Sequence, residues 1–309
     1  YPATLTSVDG AMASAGSPLE MFAEKVDTAR AREAFARAGR PGVALWGTSY
    51  TTAQGAISVC DPVRGYRPSD VVHCYVQPNM KTDYSSLSKA EHFNDYGINI
   101  WGVGTTFIGG LAGGPEGAAV TAVAECLATY MLYRTNLPSL WTPDAMYGPG
   151  MAARKPMWST ALAFAALSRH ISAPLPGWTY QCYAGPCTEM YYYEAAASII
   201  ADVVCGTATI NFGGGRQGGT LDYFGGPLDS RFLRDVARAA TKLDRGTAND
   251  IILALLSRYE DKIEARSPSP GKTFQECNDL ETLKPTEEYL ELFGKVEDEL
   301  STLGLALTS

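Results

Sequence analysis

The chain has 309 residues, of which 46% are hydrophobic and 19% are charged, so it has ample material for a large buried core. Its formal net charge of −8 at pH 7 argues against nucleic acid or an anionic membrane surface as a partner, and its longest apolar runs are too mixed to span a bilayer. Its cysteines are odd in number, seven, and lie mostly in apolar runs, which favours a reducing, cytoplasmic location.

Short apolar segments alternate along the chain with helical patterns, which is typical of βαβ units and a parallel sheet. The predicted strands cover residues 3–8, 43–46, 71–76, 98–103, 145–147, 179–183 and 207–212. The predicted helices cover residues 18–38, 117–134, 156–170, 186–205, 229–243 and 248–266, and a last one begins at Thr286. Gly39 suits the position just after the first helix, and Thr286 suits an N-cap.

The number of strands favours a TIM-type (β/α)8 barrel, because seven predicted strands are each followed by a helix or a long loop and such a barrel has eight. We therefore expect the N-terminal strand and an N-terminal extension to be missing from this chain, which opens at Tyr1. An open doubly wound sheet is the alternative. We expect an incomplete barrel domain over residues 1–266 and a C-terminal helical cap packed on the barrel over residues 267–309, after a short Ser-Pro linker.

Catalytic groups of a barrel lie at the C-terminal ends of its strands and in the loops that follow. That rule selects Trp46, His73, Val103, Tyr180 and Gln181, among other positions. His73 fits a hydrogen-bonded core imidazole, a general base, or a group that hydrogen-bonds the substrate. The rings of Trp46 and Tyr180 fit either a plain apolar barrel mouth or part of a cage for a methylated ammonium.

Glu189 falls in the first turn of its predicted helix, where the helix dipole alone explains an acid, but it follows a strand end closely enough to stay a candidate. Two glycine clusters, 109–114 and 213–219, each follow a strand. The second spells G-x-G-x-x-G, but no helix opens at its third glycine, so a dinucleotide site is rejected. Gly113, Gly214 and Arg216 are candidates for anion binding, with tight turns as the alternative. The cysteines lack the paired spacing of a metal site.

Several stretches have an unusual composition: AGRPG at 38–42 with AQG at 53–55, AGPCTEM at 184–190, GKTFQEC at 271–277 and PTEEY at 285–289. In this order they resemble segments of the monomethylamine:corrinoid methyltransferases. The resemblance runs across nearly the whole chain. It implies an α/β barrel, and members of that family have an additional N-terminal region, which agrees with the missing strand.

The resemblance also implies a function, namely transfer of a methyl group from a methylated amine to the Co(I) corrinoid of a separate partner protein, a step of methanogenesis. No cofactor is then bound tightly by this chain. The family's pyrrolysine, whose ring imine captures the amine, falls on Trp46. Two glutamates that face that ring fall on His73 and Val103, and a glutamine and a tyrosine of the pocket fall near Thr179 and Gln181.

These positions form the predicted site. The catalytic candidates are Trp46, His73 and Gln181; the substrate-binding candidates are Tyr180, Thr179, Val103 and Glu189; and the corrinoid- or anion-binding candidates are Gly113, Gly214 and Arg216. Because an indole has no electrophilic imine, we expect the substrate to be a methylated amine or quaternary ammonium other than monomethylamine. The alternatives are a non-catalytic homologue that binds the corrinoid protein, and a monomethylamine enzyme in which Trp46 is a mutation or a reading error. We expect a homo-oligomer.

Overall fold

The computed structural model describes residues 7–46, 52–60, 63, 65–147, 150–177, 182–210 and 225–307. Its contacts divide the chain into a first unit, Tyr1–Thr105 with Ala124–Ser139, and a second unit, Thr106–Val123 with Leu140–Ser309. The division that we predicted after residue 266 is not the boundary between these units. An incomplete barrel with a separate cap therefore stays a prediction.

Strands and helices alternate along most of the described chain. The strands are β1 (Ser7–Val8), β2 (Ala11–Met12), β3 (Val71–Val76), β4 (Asn99–Thr105), β5 (Leu137–Trp141), β6 (Pro176–Gly177) and β7 (Thr209–Ile210). The helices are α1 (Pro18–Arg37), α2 (Ala53–Ser58), α3 (Tyr84–Asp95), α4 (Pro115–Tyr133), α5 (Arg154–His170), α6 (Glu189–Val204), α7 (Pro227–Ala240), α8 (Arg245–Leu256), α9 (Glu260–Glu264), α10 (Phe274–Cys277) and α11 (Glu287–Thr302). This order confirms the α/β class.

The sheet of the first unit is built on β3 and β4, which run parallel with His73 opposite Trp101 and Tyr75 opposite Val103. The strand order is β3-β4-β5. β3 is rich in valine, whose branched side chain suits a strand. Trp46 makes an isolated parallel bridge to Val71, on the side of β3 away from β4.

The two faces of this sheet differ. Val72, Cys74 and Val76 pack into a buried cluster that includes Ala90 and Phe93 of α3. Because successive strand residues point to opposite faces, His73 and Tyr75 of β3, and Trp101 and Val103 opposite them, share the other face. We call this second face the inner face. It carries the candidate residues, whereas the helices cover the other one.

Glycines let α4 approach the helix-covered face of β4 closely. A Cβ atom at Gly102 would lie 2.5 Å from the Cβ atom of Thr129, and one at Gly104 would lie 2.6 Å from the Cβ atom of Glu125. Neither distance is possible between real side chains. At these two glycines the backbone of β4 is therefore in direct contact with side chains of α4.

The core of the second unit surrounds α6, which is buried over most of its length. Tyr192 of α6 packs against Phe232 of α7 with 4.6 Å between ring centroids, and against Phe293 of α11 at 5.8 Å. β6 and β7 pair in parallel within the same unit. Residues of α11 are thus part of this core. Among the described helices, none has both the length and the apolar character needed to cross a membrane.

Several predicted elements are confirmed and others are wrong. β3 has the predicted bounds, and α1 begins at the predicted residue. The predicted strand at 145–147 is a turn, in which the N–H of Met146 donates to Asp144 Oδ1 at 2.8 Å. The strand of this region is β5, which ends before that turn, contains Pro138 and was not predicted. Helix α3 was not predicted either. The predicted helix at 248–266 is two helices, α8 and α9, and the predicted strand at 43–46 is reduced to the bridge at Trp46.

Candidate active site

Four aromatic side chains lie together on the inner face, and we call Trp46, His73, Tyr75 and Trp101 the aromatic cluster. The ring of Trp101 is central. Its centroid lies 4.2 Å from that of His73, at 86°, and 5.0 Å from that of Trp46, at 76°. His73 and Tyr75 are 6.1 Å apart, also edge to face. Edge-to-face contacts of this kind are favoured by the ring quadrupoles, so each ring helps to orient its neighbour.

The position of Trp46 is set by a buried carboxylate one strand away. Asp70, with no exposed surface, accepts hydrogen bonds from the N–H of Leu45 at 2.7 Å and of Arg67 at 2.6 Å, and pairs with the guanidinium of Arg32. The N–H of Val71 in turn donates to the carbonyl of Leu45 at 2.9 Å. The residue before Trp46 is therefore held at both its N–H and its carbonyl.

The bridge to Val71 also fixes the depth of Trp46 along the sheet. Val71 is the first residue of β3, and Val76 is its last. Five residues of parallel strand span roughly 16 Å, so the backbone of Trp46 pairs with β3 about that far from its carboxyl end. We expected this side chain at the carboxyl end of a strand, in the mouth of a barrel. The residues that follow Trp46, 47–51, lie outside the described residues, so this expectation stays a prediction.

The cluster is electrically neutral. His73 is fully buried, and burial, followed by the nearby Lys89 ammonium, lowers its pKa well below the usual value. The imidazole is therefore neutral at neutral pH. By alternation, the inner face of β3 and β4 carries no carboxylate; its residues are Val71, His73, Tyr75, Asn99, Trp101, Val103 and Thr105.

Exposure within the cluster decides which side chains are able to touch a ligand. His73, Trp101 and Val103 have no exposed surface, whereas Trp46 and Tyr75 are partly exposed. A ligand would therefore contact Trp46 and Tyr75, with the other side chains supporting them from behind. A surface of neutral rings suits methyl groups and cations, because ring faces attract positive charge.

Trp101 is the member of the aromatic cluster that sequence reasoning missed. It stands two residues before Val103 on a predicted strand, so alternation already placed it on the same face as that candidate. The missing information was the register that sets it opposite His73.

The structure does not bring all predicted site residues into this cluster. Trp46, His73 and Val103 are together on one face, as described above. Glu189 belongs to the second unit, where its carboxylate forms a surface ion pair with Lys295 and is 41% exposed. Gly113 belongs to the second unit as well, and its N–H donates to the carbonyl of Gly110 at 3.1 Å, so this N–H is not directed at an anion. The remaining candidates lie outside the described residues: Thr179, Tyr180, Gln181, Gly214 and Arg216.

A second carboxylate, Glu194 on α6, orders the segment that follows these undescribed candidates. It is fully buried and accepts hydrogen bonds from the N–H of Tyr183 at 2.6 Å and of Ala184 at 3.0 Å. Burial raises the pKa of Glu194 to about 8, against the effect of those two hydrogen bonds. No spacing in the sequence pointed to this role. Among the described residues, no group of three or more His, Cys, Asp and Glu side chains is arranged to hold a metal ion.

Comparison with known proteins gives one consistent result. The family model for monomethylamine methyltransferase MtmB matches residues 1–305. MtmB of Methanosarcina mazei and MtmB1 of Methanosarcina barkeri are each 32% identical to the chain over 302 residues, which is 97% of this chain and 65% of theirs. The chain therefore spans slightly less than two thirds of the length of these relatives.

Solved structures agree with the sequence comparison. The crystal structure of the Methanosarcina barkeri monomethylamine methyltransferase MtmB matches with a TM-score of 0.92 at 30% identity. The match covers 99% of this chain and 66% of the MtmB chain. The crystal structure of a hydroxylamine complex of MtmB matches with the same values. The arrangement of helices and strands described above is thus that of MtmB over almost the whole chain.

Proposed function

The chain belongs to the monomethylamine methyltransferase MtmB family, and we propose that it is a corrinoid-dependent methyltransferase that acts on a methylated amine other than monomethylamine. The acceptor is the Co(I) corrinoid of a partner protein, and the scaffold is a closed α/β barrel in the cytoplasm. The observation that carries the choice of substrate is the aromatic cluster, which is neutral and includes Trp46 at the position where the resemblance puts pyrrolysine.

The chemistry of the methyl donor explains why this cluster suits a quaternary ammonium. The partner's corrinoid supplies the nucleophile, so the chain has to bind and orient the donor. A quaternary ammonium leaves as a neutral tertiary amine once its methyl group is taken, and so needs no covalent activation. The exposed part of the Trp46 ring would hold such a cation with about 0.5–2 kcal/mol. Trp101 fixes the plane of that ring from behind.

The same cluster is poorly suited to monomethylamine. An indole has no electrophilic carbon-nitrogen double bond that a primary amine could attack. His73 and Val103 stand where the resemblance places the two glutamates around pyrrolysine, and neither carries a charge. The chain thus lacks at these positions both the group that would capture the amine and the acids that would support the adduct.

A second candidate function is a non-catalytic homologue that binds the corrinoid protein. It is favoured by the complete burial of His73, Trp101 and Val103, and by the ring contact between His73 and Trp101, because core residues have both features. In that case the aromatic cluster stabilises the sheet, and the surface that meets the partner protein is the part under selection.

The test begins with sequencing of codon 46, because a genuine tryptophan codon removes the reading-error alternative. The chain is then assayed for methylation of a Co(I) corrinoid protein with monomethylamine, tetramethylammonium, glycine betaine and choline in parallel. We expect turnover with one of the quaternary compounds and none with monomethylamine.

Substitutions at Trp46 identify the ring as the binding element. Trp46→Ala is expected to lower kcat/KM by about 2- to 30-fold, the equivalent of one cation–π contact, and Trp46→Phe by less. Trp158→Ala is the matched control, because Trp158 is a 47% exposed tryptophan on α5 of the second unit, and it should leave kcat/KM unchanged. Turnover of monomethylamine by the Trp46 protein would refute the proposal. Absence of turnover with every donor, together with tight binding of the corrinoid protein, would establish the second candidate.

A further inference from the structure

Two segments of the second unit cross in direct backbone contact. The N–H of Gly185 donates to the carbonyl of Ser269 at 3.0 Å, and the N–H of Lys272 donates to the carbonyl of Pro186 at 3.1 Å. A Cβ atom at Gly185 would lie 2.3 Å from the Cα atom of Gly271, so only glycine permits this approach. The crossing brings together two cysteines that are far apart in sequence: Cys187 follows Pro186, and the Sγ of Cys277 contacts the carbonyl of Lys272 at 3.8 Å.

The two thiols belong to this one crossing and differ in exposure. Cys187 is half-buried and directly precedes Thr188, the N-cap of α6, with a left-handed φ of 58°. Cys277, at the end of α10, is 3% exposed and its Sγ contacts the carbonyl of Lys272 at 3.8 Å. A small reagent would therefore reach Cys187 first, with Cys277 behind it.

The groups around Cys187 favour its thiolate. The hydrogen bond from Cys277 lowers the pKa of Cys187, burial opposes this, and the Lys272 ammonium lowers the pKa again, against the carboxylates of Glu288 and Asp229. The interaction with Cys187 raises the pKa of Cys277 in turn. In the other five cysteines, all of them described, burial raises the pKa; they are Cys60, Cys74, Cys126, Cys182 and Cys205.

We propose that Cys187 and Cys277 form a modification site that takes a peroxide, with Cys187 as the attacking thiol and Cys277 as the resolving thiol. The Cys187 thiolate attacks one peroxide oxygen, the O–O bond breaks, and hydroxide leaves, which gives a sulfenic acid. The Cys277 sulfur then attacks the sulfenic sulfur, and the S–O bond breaks with loss of hydroxide. The proton released from the Cys277 thiol converts this hydroxide to water. The two sulfurs have given two electrons to the peroxide and are joined in a disulfide.

The disulfide would link the segment before α6 to α10 covalently. That segment is the one whose N–H groups at Tyr183 and Ala184 bind Glu194. The disulfide is therefore expected to fix the crossing of these two segments of the second unit covalently. A dithiol reductant reverses it. The inference does not depend on the proposed methyltransferase activity, since the aromatic cluster belongs to the first unit.

The experiment follows the thiols of the whole chain by alkylation and peptide mass spectrometry. Cys60 is the matched control, because it is half-buried like Cys187 but burial raises its pKa to about 11. Near pH 7.5, a thiol with a pKa no higher than the ordinary value of 9.0 should be alkylated at least about tenfold faster than Cys60, after allowance for the weaker nucleophilicity of the more acidic thiol. One equivalent of hydrogen peroxide should then give a Cys187–Cys277 cross-linked peptide and leave Cys60 free.

Three variants give the order of events. In Cys277→Ser, Cys187 should accumulate as a sulfenic acid that dimedone traps, whereas in the native chain little dimedone adduct should form. Cys187→Ser should remove the cross-link, and Cys60→Ser should leave it unchanged. Preferred oxidation of Cys60 or Cys205, or equal dimedone labelling of Cys187 with and without Cys277, would overturn the proposal. The cross-link is measured first in the native chain. The proposal can therefore be tested even if one of the variants does not fold.

Discussion

Replacement of Asp70 by alanine should destabilise the first unit strongly and disturb the site. Its carboxylate is buried and receives the N–H groups of Leu45 and Arg67 as well as the guanidinium of Arg32, which is itself only 9% exposed. Arg32 also donates to the carbonyl of Gly65 at 3.1 Å. The alanine variant leaves the guanidinium with that one carbonyl and both N–H groups without an acceptor.

The magnitude follows from burial. Removal of one partner of a buried ion pair costs about 3–5 kcal/mol, because the charge that is left behind stays desolvated. Each orphaned N–H adds about 1–3 kcal/mol if water cannot reach it, and these terms overlap. We therefore expect Asp70→Ala to lower the free energy of unfolding by at least about 3 kcal/mol. Asp70→Asn, which keeps one acceptor oxygen and the shape, should lower it by less.

Urea unfolding monitored by tryptophan fluorescence is a suitable assay, because Trp46 directly follows Leu45. Glu91→Ala is the matched control. Glu91 pairs with Arg134 in the same unit, but the two side chains are 65% and 58% exposed, so this change should cost no more than about 1 kcal/mol. If Asp70→Ala costs no more than Glu91→Ala, then the carboxylate does not hold the strand before Trp46, and the account of how the site is positioned is wrong.

Two further predictions concern α4 and its contact with β4. Gly104→Ala should lower the free energy of unfolding by about 1–3 kcal/mol, because the new methyl group would overlap Glu125, whereas Gly294→Ala in α11, with open space around it, should raise it by up to about 1 kcal/mol; the same urea assay measures both, and equal effects would contradict the close approach. Burial raises the pKa of Glu125 from 4.5 to about 8, so the folded chain keeps a proton that the unfolded chain releases, and stability should fall as the pH rises between these values. Glu125→Gln should remove this part of the slope in unfolding free energies measured across that range, and an unchanged slope would refute the assignment.

The elements that the sequence predicted well are those in which local signals agree. α1 begins after Ser17, whose hydroxyl accepts the N–H of Glu20 at 3.2 Å, and it is followed by Gly39 with a left-handed φ. β3 is a run of valines and aromatic residues with no competing signal. In both segments side-chain chemistry and backbone preference point to the same structure, so neighbouring residues suffice to predict it.

The elements that were missed are those in which tertiary contacts override local preference. Pro138 argues against a strand, yet it lies in β5, where β4 supplies a partner. The polar sequence of α3 shows little apolar periodicity, although Asp83 caps it by accepting the N–H of Ser86 at 2.6 Å. The break between α8 and α9 carries neither glycine nor proline, so nothing in the local sequence marks it.

The site divides in the same way. Residue identity and the resemblance were enough to select Trp46, His73 and Val103, because strand alternation and a family pattern are properties of the chain itself. The register of β3 against β4, which sets Trp101 between His73 and Trp46, was decided by the tertiary structure, as were the depth of Trp46 and the carboxylate of Asp70 behind it. Side-chain chemistry is written in the sequence, whereas distances between strands, and the burial that keeps His73 neutral, arise only when segments far apart in the chain pack together.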